Sequence, residues 1–393
     1  MGKMMEQKES KKTVRKYALA SFLNDLGSDM IYPIWPLFVT SLGANMTVLG
    51  FLDGLGEAIV SLSQAASGYI SDRIRKRKVF VWLGYLCGSL SRIGYAFSTA
   101  WPHLVPFRVL DRAGKIRSAP RDAIIADLST HDNRGSNFGL LRTMDNMGAV
   151  CGILVCILFV ELLGYQTLFL IAAVPSLLAA GLIFSLGKEA KPTEKKLYQG
   201  IRWKDFNRDF KLFVGLSAVF ALASFSYSFL LIYAKKLGFH IVFVPVLYLI
   251  FTACAAISSL PFGKLSDRIG RKTLMMVSFI LWGLVCMIFI FFDNYPAILV
   301  SFVLYGLHRG ALDTVQKTFV CELTPEDYRA SGLGFFQMII GLCALPASLI
   351  AGLLWDNLAS NAPFYFSLIL TATAFVTLIF VKETHTGNER ICK

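Results

Sequence analysis

Between Pro106 and Asp122 the chain reads P-F-R-V-L-D-R-A-G-K-I-R-S-A-P-R-D, with apolar sequence on both sides. A guanidinium is a planar fork that pairs bidentately with carboxylate or phosphate, so Arg108 and Arg112 have the chemistry to hold an anionic group. On a helix turning 100° per residue, Arg108, Asp111, Arg112, Lys115 and Asp122 fall on one stripe, while Arg117 and Arg121, one turn apart, face the other way. An ionised side chain at mid-bilayer costs about 2.5–3.5 kcal/mol on insertion scales, so such residues face a bundle interior or a water-filled cavity. A stretch like this implies both compensating partners and an aqueous path.

The partners are available. Asp25, Asp29, Asp53, Glu57, Asp111, Asp122 and Asp145 stand against Arg92, Arg108, Arg112, Lys115, Arg117, Arg121 and Arg142, seven acids to seven bases, which suggests a paired network. Asp25 and Asp29, and Asp53 and Glu57, are each spaced i, i+4, with Gln64 continuing the second stripe; Arg142, Asp145 and Asn146 are spaced i, i+3, i+4. Farther on, His308, Arg309, Asp313, Gln316 and Lys317 make one more polar stripe. The expected central cavity is therefore lined by Arg108, Asp111, Arg112, Lys115, Arg142, Asp145, Asn146, Arg309 and Asp313. A desolvated carboxylate without a base takes a proton more readily than one beside an arginine. Asp25, Asp29, Asp53 and Glu57 are the expected proton-coupling groups, Asp29 and Glu57 foremost. The same pairs would also serve as static bridges between helices. Pro33, Pro36 and Pro120 are expected to bend the helices that carry the charged turns.

The elements that position these residues are membrane helices. The chain has 393 residues, 55% hydrophobic and only 17% charged, against about 25% charged in soluble domains. Long apolar runs recur, which predicts an all-α polytopic protein with twelve transmembrane helices, at about 17–41, 47–70, 79–99, 103–127, 138–161, 165–186, 209–233, 241–263, 274–292, 296–320, 333–354 and 362–382. The formal charge of +13 is concentrated in alternate connections and at the termini, the positive-inside pattern rather than a nucleic-acid surface. Both termini and the polar segment 188–208 are thus expected in the cytoplasm, with one six-helix bundle over 1–187 and a second over 209–393. The first sixteen residues lack the apolar core of a cleavable signal peptide. The eight cysteines form no C-x-x-C pair, and neither a disulfide framework nor a metal site is indicated.

The halves repeat. Gly68-Tyr-Ile-Ser-Asp72-Arg73-Ile-Arg-Lys-Arg returns as Gly263-Lys-Leu-Ser-Asp267-Arg268-Ile-Gly-Arg-Lys, and Asp127-L-S-T-H-D-N-Arg134-G-S-N-F-Gly139 returns as Glu322-L-T-P-E-D-Y-Arg329-A-S-G-L-Gly334, both at an offset of 195. Such repeated halves mark transporters that rock about a central site. The paired loop segments resemble the G-x-L-x-D-R-x-G-R-K motif of the major facilitator superfamily; the second copy matches in full, and the first has Arg75 where the second glycine falls. R-x-L-D-R-x-G-K…P-R-D-A-I-I-A-D in span four, D-M-I-Y-P-I-W-P-L-F in span one and L-P-A-S-L-I-A-G-L-L-W-D in span eleven resemble a bacterial branch of efflux-type permeases, which carries Gly-Lys-Gly where this chain has Lys115 followed by Ile116. The resemblance implies the two-bundle fold and alternating access, with Gly68, Asp72, Arg73, Arg134, Gly263, Asp267, Arg268 and Arg329 forming a cytoplasmic gate in which each aspartate pairs with a neighbouring arginine or caps a helix.

The expected function is secondary transport of a small polar or anionic molecule, or a metal chelate, across the bacterial cytoplasmic membrane. Proton-coupled export leads, with proton-coupled uptake of an organic anion or metal-chelating compound as the alternative. Export rests on the branch resemblance, because span five carries Gly139, Gly148 and Gly152 but not the proline of the superfamily's Gly-Pro exporter motif. No H-E-x-x-H, G-x-S-x-G or Walker-type segment is present, which argues against an enzyme and against direct ATP drive. A ligand-binding receptor without flux is the remaining class. No cofactor is expected beyond the proton gradient, and the expected state is a monomer in the lipid bilayer.

Overall fold

A computed structural model describes residues 2–74, 76–130, 133–186, 206–324 and 329–382, with the side chains of 2–9, 72 and 329–331 undescribed. Among the described residues the chain is helical throughout: α1 (Gly2–Asp29), α2 (Trp35–Ser41), α3 (Met46–Ile74), α4 (Arg77–Ala96), α5 (Trp101–Ala113), a 3-10 turn (Gly114–Arg117), α6 (Ser118–Asp127), α7 (Arg134–Phe184), α8 (Arg208–Ala223), α9 (Tyr227–Lys236), α10 (Phe243–Ile269), α11 (Arg271–Phe291), α12 (Tyr295–Leu323), α13 (Arg329–Asn357) and α14 (Ala362–Ile379). Among the described residues, eight helical stretches are long and apolar enough to cross a membrane. One of them, α7, is two crossings, because at about 1.5 Å per residue its 51 residues exceed twice the bilayer core. It turns at Gly164, whose φ of 69° no side-chain-bearing residue adopts cheaply. Three further crossings, α1 with α2, α4, and α5 through α6, carry the charged residues that lower their hydropathy. Among the described residues the total is the twelve spans expected, and the expected linker lies outside the described residues up to 205.

Spans one and four have prolines at or just after their breaks, and span seven breaks without one. Span one is interrupted at Met30–Ile34, with Pro33 in the break and Pro36 opening α2. Pro120 sits in the first turn of α6, where its missing N–H costs nothing. Span seven breaks between α8 and α9, and Ser226 caps α9 by accepting from the Ser228 amide.

The chain divides into two compact units. One holds Met1–Ala44 and continues from Leu55 through α7; the other holds Asn45–Gly54 and everything from α8 onward, so α3 contributes to both. In the first unit, Val14, Tyr17, Tyr85, Ile125, Leu141 and Ile183 bury one core shared by α1, α4, α6 and α7. α1 lies directly on α7 because Gly148 and Gly152 leave the backbone of Phe22 and Leu26 within reach: a Cβ at these glycines would stand 2.4 and 2.3 Å from those carbonyl oxygens. The second unit is built on aromatics instead. Phe220 stacks on Phe279 at 4.2 Å, and Phe289 on Phe364 at 4.8 Å.

Each unit repeats one clamp. Arg77 at the start of α4 pairs with Asp127 at the end of α6, and Lys78 donates to the carbonyls of Phe184 and Leu186 at the end of α7. Arg271 at the start of α11 reaches Glu322 at 3.1 Å, and Lys272 donates to the carbonyls of Ile379 and Val381 at 2.6 and 2.9 Å. A cation at helix carbonyl ends meets both unfilled acceptors and the helix dipole. The acceptors are 195 residues apart in the two units, but the basic pairs are 194 apart. The first loop therefore spends one residue more between its aspartate and its clamp, and Arg77-Lys78 correspond in role to Arg271-Lys272.

Candidate functional site

The break in span one sets the site of the first unit. It presents Tyr32 beneath the guanidinium of Arg112, 4.8 Å from the ring centre, and Trp35 beneath that of Arg108, at 4.2 Å. Both arginines and Asp111 are buried on α5. Asp111 reaches Arg112 Nε at 3.5 Å and accepts from the Ser91 hydroxyl at 3.5 Å. From α3, Glu57 brings its carboxylate to 3.9 Å from Arg112 Nη1. Gly56 makes that approach possible, since a Cβ there would lie 3.1 Å from Arg108 Nε and 3.2 Å from Arg112 Cγ. Asp25, Asp29 and Lys115 lie around this group, and Asp25 accepts from the Asn24 amide at 2.8 Å. Buried guanidiniums on aromatic supports with carboxylates alongside can hold an anionic or polar group and exchange protons beside it.

A second charged group lies between α6 and α7. Arg121 and Asp122 are 3.2 Å apart, Asp122 and Arg142 3.1 Å, Arg142 and Asp145 3.3 Å, and Asp145 and Arg121 3.4 Å, which closes an alternating ring. Arg121 also donates to Ser21 at 2.6 Å, and the Ser21 and Tyr85 hydroxyls are 3.1 Å apart, so the ring is tied to α1 and α4. Arg142 and the adjacent Asn146 are its outer side. Asp122 was expected on the Arg108 stripe and belongs to this ring instead. The 3-10 turn at Gly114–Arg117 winds three residues per turn and moves everything after it off the 100° register. Arg117 lies over Tyr85 at 5.2 Å and donates to the Gly114 carbonyl. Arg92 is a weld rather than a cavity residue: fully buried, it donates to the Ala172 carbonyl, the Ser28 and Ser176 hydroxyls and the Asn24 carbonyl.

The spacing that grouped Asp53 with Glu57 does not keep them together. Asp53 lies in the part of α3 that belongs to the second unit, buried, and accepts from the Ser226 and Ser228 hydroxyls at 2.6 and 2.5 Å. Asp356 of α13 caps the start of α3, accepting from the amides of Met46 and Thr47 at 3.2 and 2.7 Å and from the Thr47 hydroxyl at 2.7 Å. Arg309 and Asp313 pair with each other at 3.2 Å on α12. His308 is buried, with Nδ1 2.8 Å from the Ser278 carbonyl. At the expected gate, Asp267 meets Arg271 at 2.5 Å; Gly68 and Gly263 are half-buried, Arg73, Arg134 and Arg268 are exposed, and the Asp72 and Arg329 side chains lie outside the described residues. Sequence reading missed Gly56, Trp35 and the serines. A run such as S-F-S-Y-S at 224–228 inside an apolar span was the available signal for the last.

Comparison with known proteins agrees with this architecture. A family model of the Major Facilitator Superfamily matches residues 17–251 and 212–391. An uncharacterized MFS-type transporter of Methanocaldococcus jannaschii is 36% identical over 383 residues, covering 95% of this chain and 96% of that protein. The multi-drug resistance efflux pump PmrA of Streptococcus pneumoniae is 25% identical over 394 residues, covering 92% and 96%. Among solved structures, the nucleoside transporter NupG superposes with a TM-score of 0.73 at 16% identity, covering 93% of this chain and 97% of that one.

Proposed function

The chain belongs to the Major Facilitator Superfamily and is a membrane transporter, not an enzyme; from that premise we propose that it is a secondary transporter that moves a small polar or anionic molecule, or a metal chelate, by alternating access coupled to protons. The observation that carries this reading is the buried set Arg108, Asp111 and Arg112 on the aromatic rings of span one. Charges that costly to bury persist where they bind something or balance one another. Asp25, Asp29 and Glu57 stand close enough to serve as proton carriers, with Asp53 a separate carboxylate tied to serines. The protein acts in the cytoplasmic membrane of a bacterium as a monomer, with its termini and the 188–208 linker in the cytoplasm, no resident cofactor, and bundles over 1–187 and 209–393. Its loop residues Asp72, Arg73, Arg134, Asp267, Arg268 and Arg329, with Gly68 and Gly263, gate the inner side. Export is favoured by the likeness to an efflux pump. Uptake has its own support in the position of Glu57 against Arg112.

A thermal-shift screen of the detergent-purified protein tests this reading. The panel holds citrate, benzoate, ferric citrate and tetraphenylphosphonium, each at pH 5.5 and 7.5. A ligand of the folded state at a hundred times its Kd adds about 2.7 kcal/mol of stability, well above the noise of such a scan. Anions or the chelate are expected to stabilise, more strongly at acid pH, and to lose the effect in Arg112→Ala. Stabilisation by the lipophilic cation alone, or an anion effect that survives Arg112→Ala, would overturn the anion reading.

A further inference from the structure

Arg112 is held on three sides: Tyr32 lies under its guanidinium, Asp111 reaches its Nε, and Glu57 stands at 3.9 Å from Nη1. The first two are shielded, Asp111 buried and Tyr32 half-buried. Glu57 is not, since 55% of its side chain is exposed against 8% for Arg112. At 3.9 Å its carboxylate is an ion partner beyond hydrogen-bond length, so it covers the guanidinium without being locked to it. The other charged groups facing this point are Asp25 and Asp29 from α1, Arg92 from α4, Arg108 and Asp111 from α5 and Lys115 from the 3-10 turn. With Arg112 these make four bases against three acids, so the formal charge of the group is zero when Glu57 is ionised and +1 when it is neutral.

We propose that Glu57 is a tethered competitor for the substrate's anionic group at Arg112. Ionised, it covers the guanidinium; protonated, it leaves a group of net positive charge that takes an anion. The inference rests on reading Arg112 as the substrate-binding arginine. Its consequence is the sense of coupling. If the proton on Glu57 favours the anion, the anion favours that proton by the same factor. Ligands that bind together cross together, so an anionic substrate travels in the direction of the proton. A cationic group would take the carboxylate itself and be exchanged for the proton. One exposed carboxylate thus selects the sign of the substrate and, with it, co-transport over exchange.

The test replaces the carboxylate by a reporter. Glu57→Cys is labelled in the purified protein with methanethiosulfonate reagents bearing an ethylsulfonate or an ethyltrimethylammonium group, read at the peptide containing position 57 by mass spectrometry and normalised to each reagent's rate with a free thiol. The anionic reagent is expected to react about tenfold faster than the cationic one, and the preference is expected to disappear when Arg112→Gln is added, as one nearby charge requires. A preference unchanged by Arg112→Gln overturns the competitor role and leaves an anion site standing. A preference for the cationic reagent in both overturns the anion site as well. A second measurement keeps Arg112 in place: phenylglyoxal should modify Arg112 several-fold faster in Glu57→Gln than in the wild type, and equal rates overturn the proposal.

Discussion

Arg92 and Arg142 carry the same group and differ in everything around it. Arg92 is fully buried and spends its donors on Asn24, Ser28, Ala172 and Ser176, which belong to α1 and α7. Arg142 has 58% of its side chain exposed and closes the ring with Asp122 and Asp145 from its outer side. Removing a buried donor leaves its acceptors unsatisfied at about 1–3 kcal/mol each, while exposed ion pairs are worth about 1 kcal/mol or less. Arg92→Ala is therefore expected to lower Tm by several degrees or to prevent purification, and Arg142→Ala to leave it nearly unchanged; comparable losses in the two variants would refute the assignment of roles. The residue types were legible from sequence, because a charge inside an apolar run has few meanings. Which charge meets which was not. Asp53 and Glu57 share a helix face by spacing, yet one accepts from serines of the second unit and the other meets Arg112, since partners come from helices distant in the chain. The 3-10 turn after Ala113 likewise undid the stripe that extrapolation carried on to Asp122.

At the scale of elements, hydropathy gave span positions within a few residues, because burying backbone in lipid leaves the helix as the solution for each long apolar run. Contacts between helices were less visible. The glycines of span five, noted in sequence for the proline they lack, turn out to be the seam on which α1 rests. Leucine at position 152 would begin with a Cβ 2.3 Å from the Leu26 carbonyl oxygen and 3.1 Å from the Met30 amide nitrogen, both backbone atoms against α7. Relieving that contact means lifting α1 off α7, beyond the roughly 1–3 kcal/mol of ordinary overpacking. Gly181 lies on the same α7 with nothing within 4 Å of its Cβ position. Gly152→Leu should thus abolish the monodisperse peak in detergent or lower Tm sharply, while Gly181→Leu keeps both. Equal behaviour of the two would mean that the seam does not hold α1.

At the scale of the whole molecule the two repeats are unequal partners. They share the clamp of Arg77-Lys78 and Arg271-Lys272, but the first concentrates its charges around span one and the second fills with aromatic rings. α3 belongs to both, and its first residues are fastened by carboxylates of two origins: Asp356 accepts from the amides that open the helix, and α3's own Asp53 accepts from the serines that open α9. A helix start without its cap loses about 1 kcal/mol, up to about 2 in a tight site. Local opening governs amide exchange, so the same loss raises exchange about 5–30-fold wherever the cap controls the opening. Asp356→Ala should accelerate deuterium uptake in peptides covering residues 45–54 by that factor and leave peptides of α4 and α7 as they are. Faster exchange throughout the chain would mean that Asp356 supports the fold as a whole. Unchanged exchange at 45–54 would mean that the glycine contacts of Gly50 and Gly54 with the backbone at Ser348 and Leu345 hold the segment without it. The first result is the one the geometry requires, because both amides and the Thr47 hydroxyl converge on a single carboxylate.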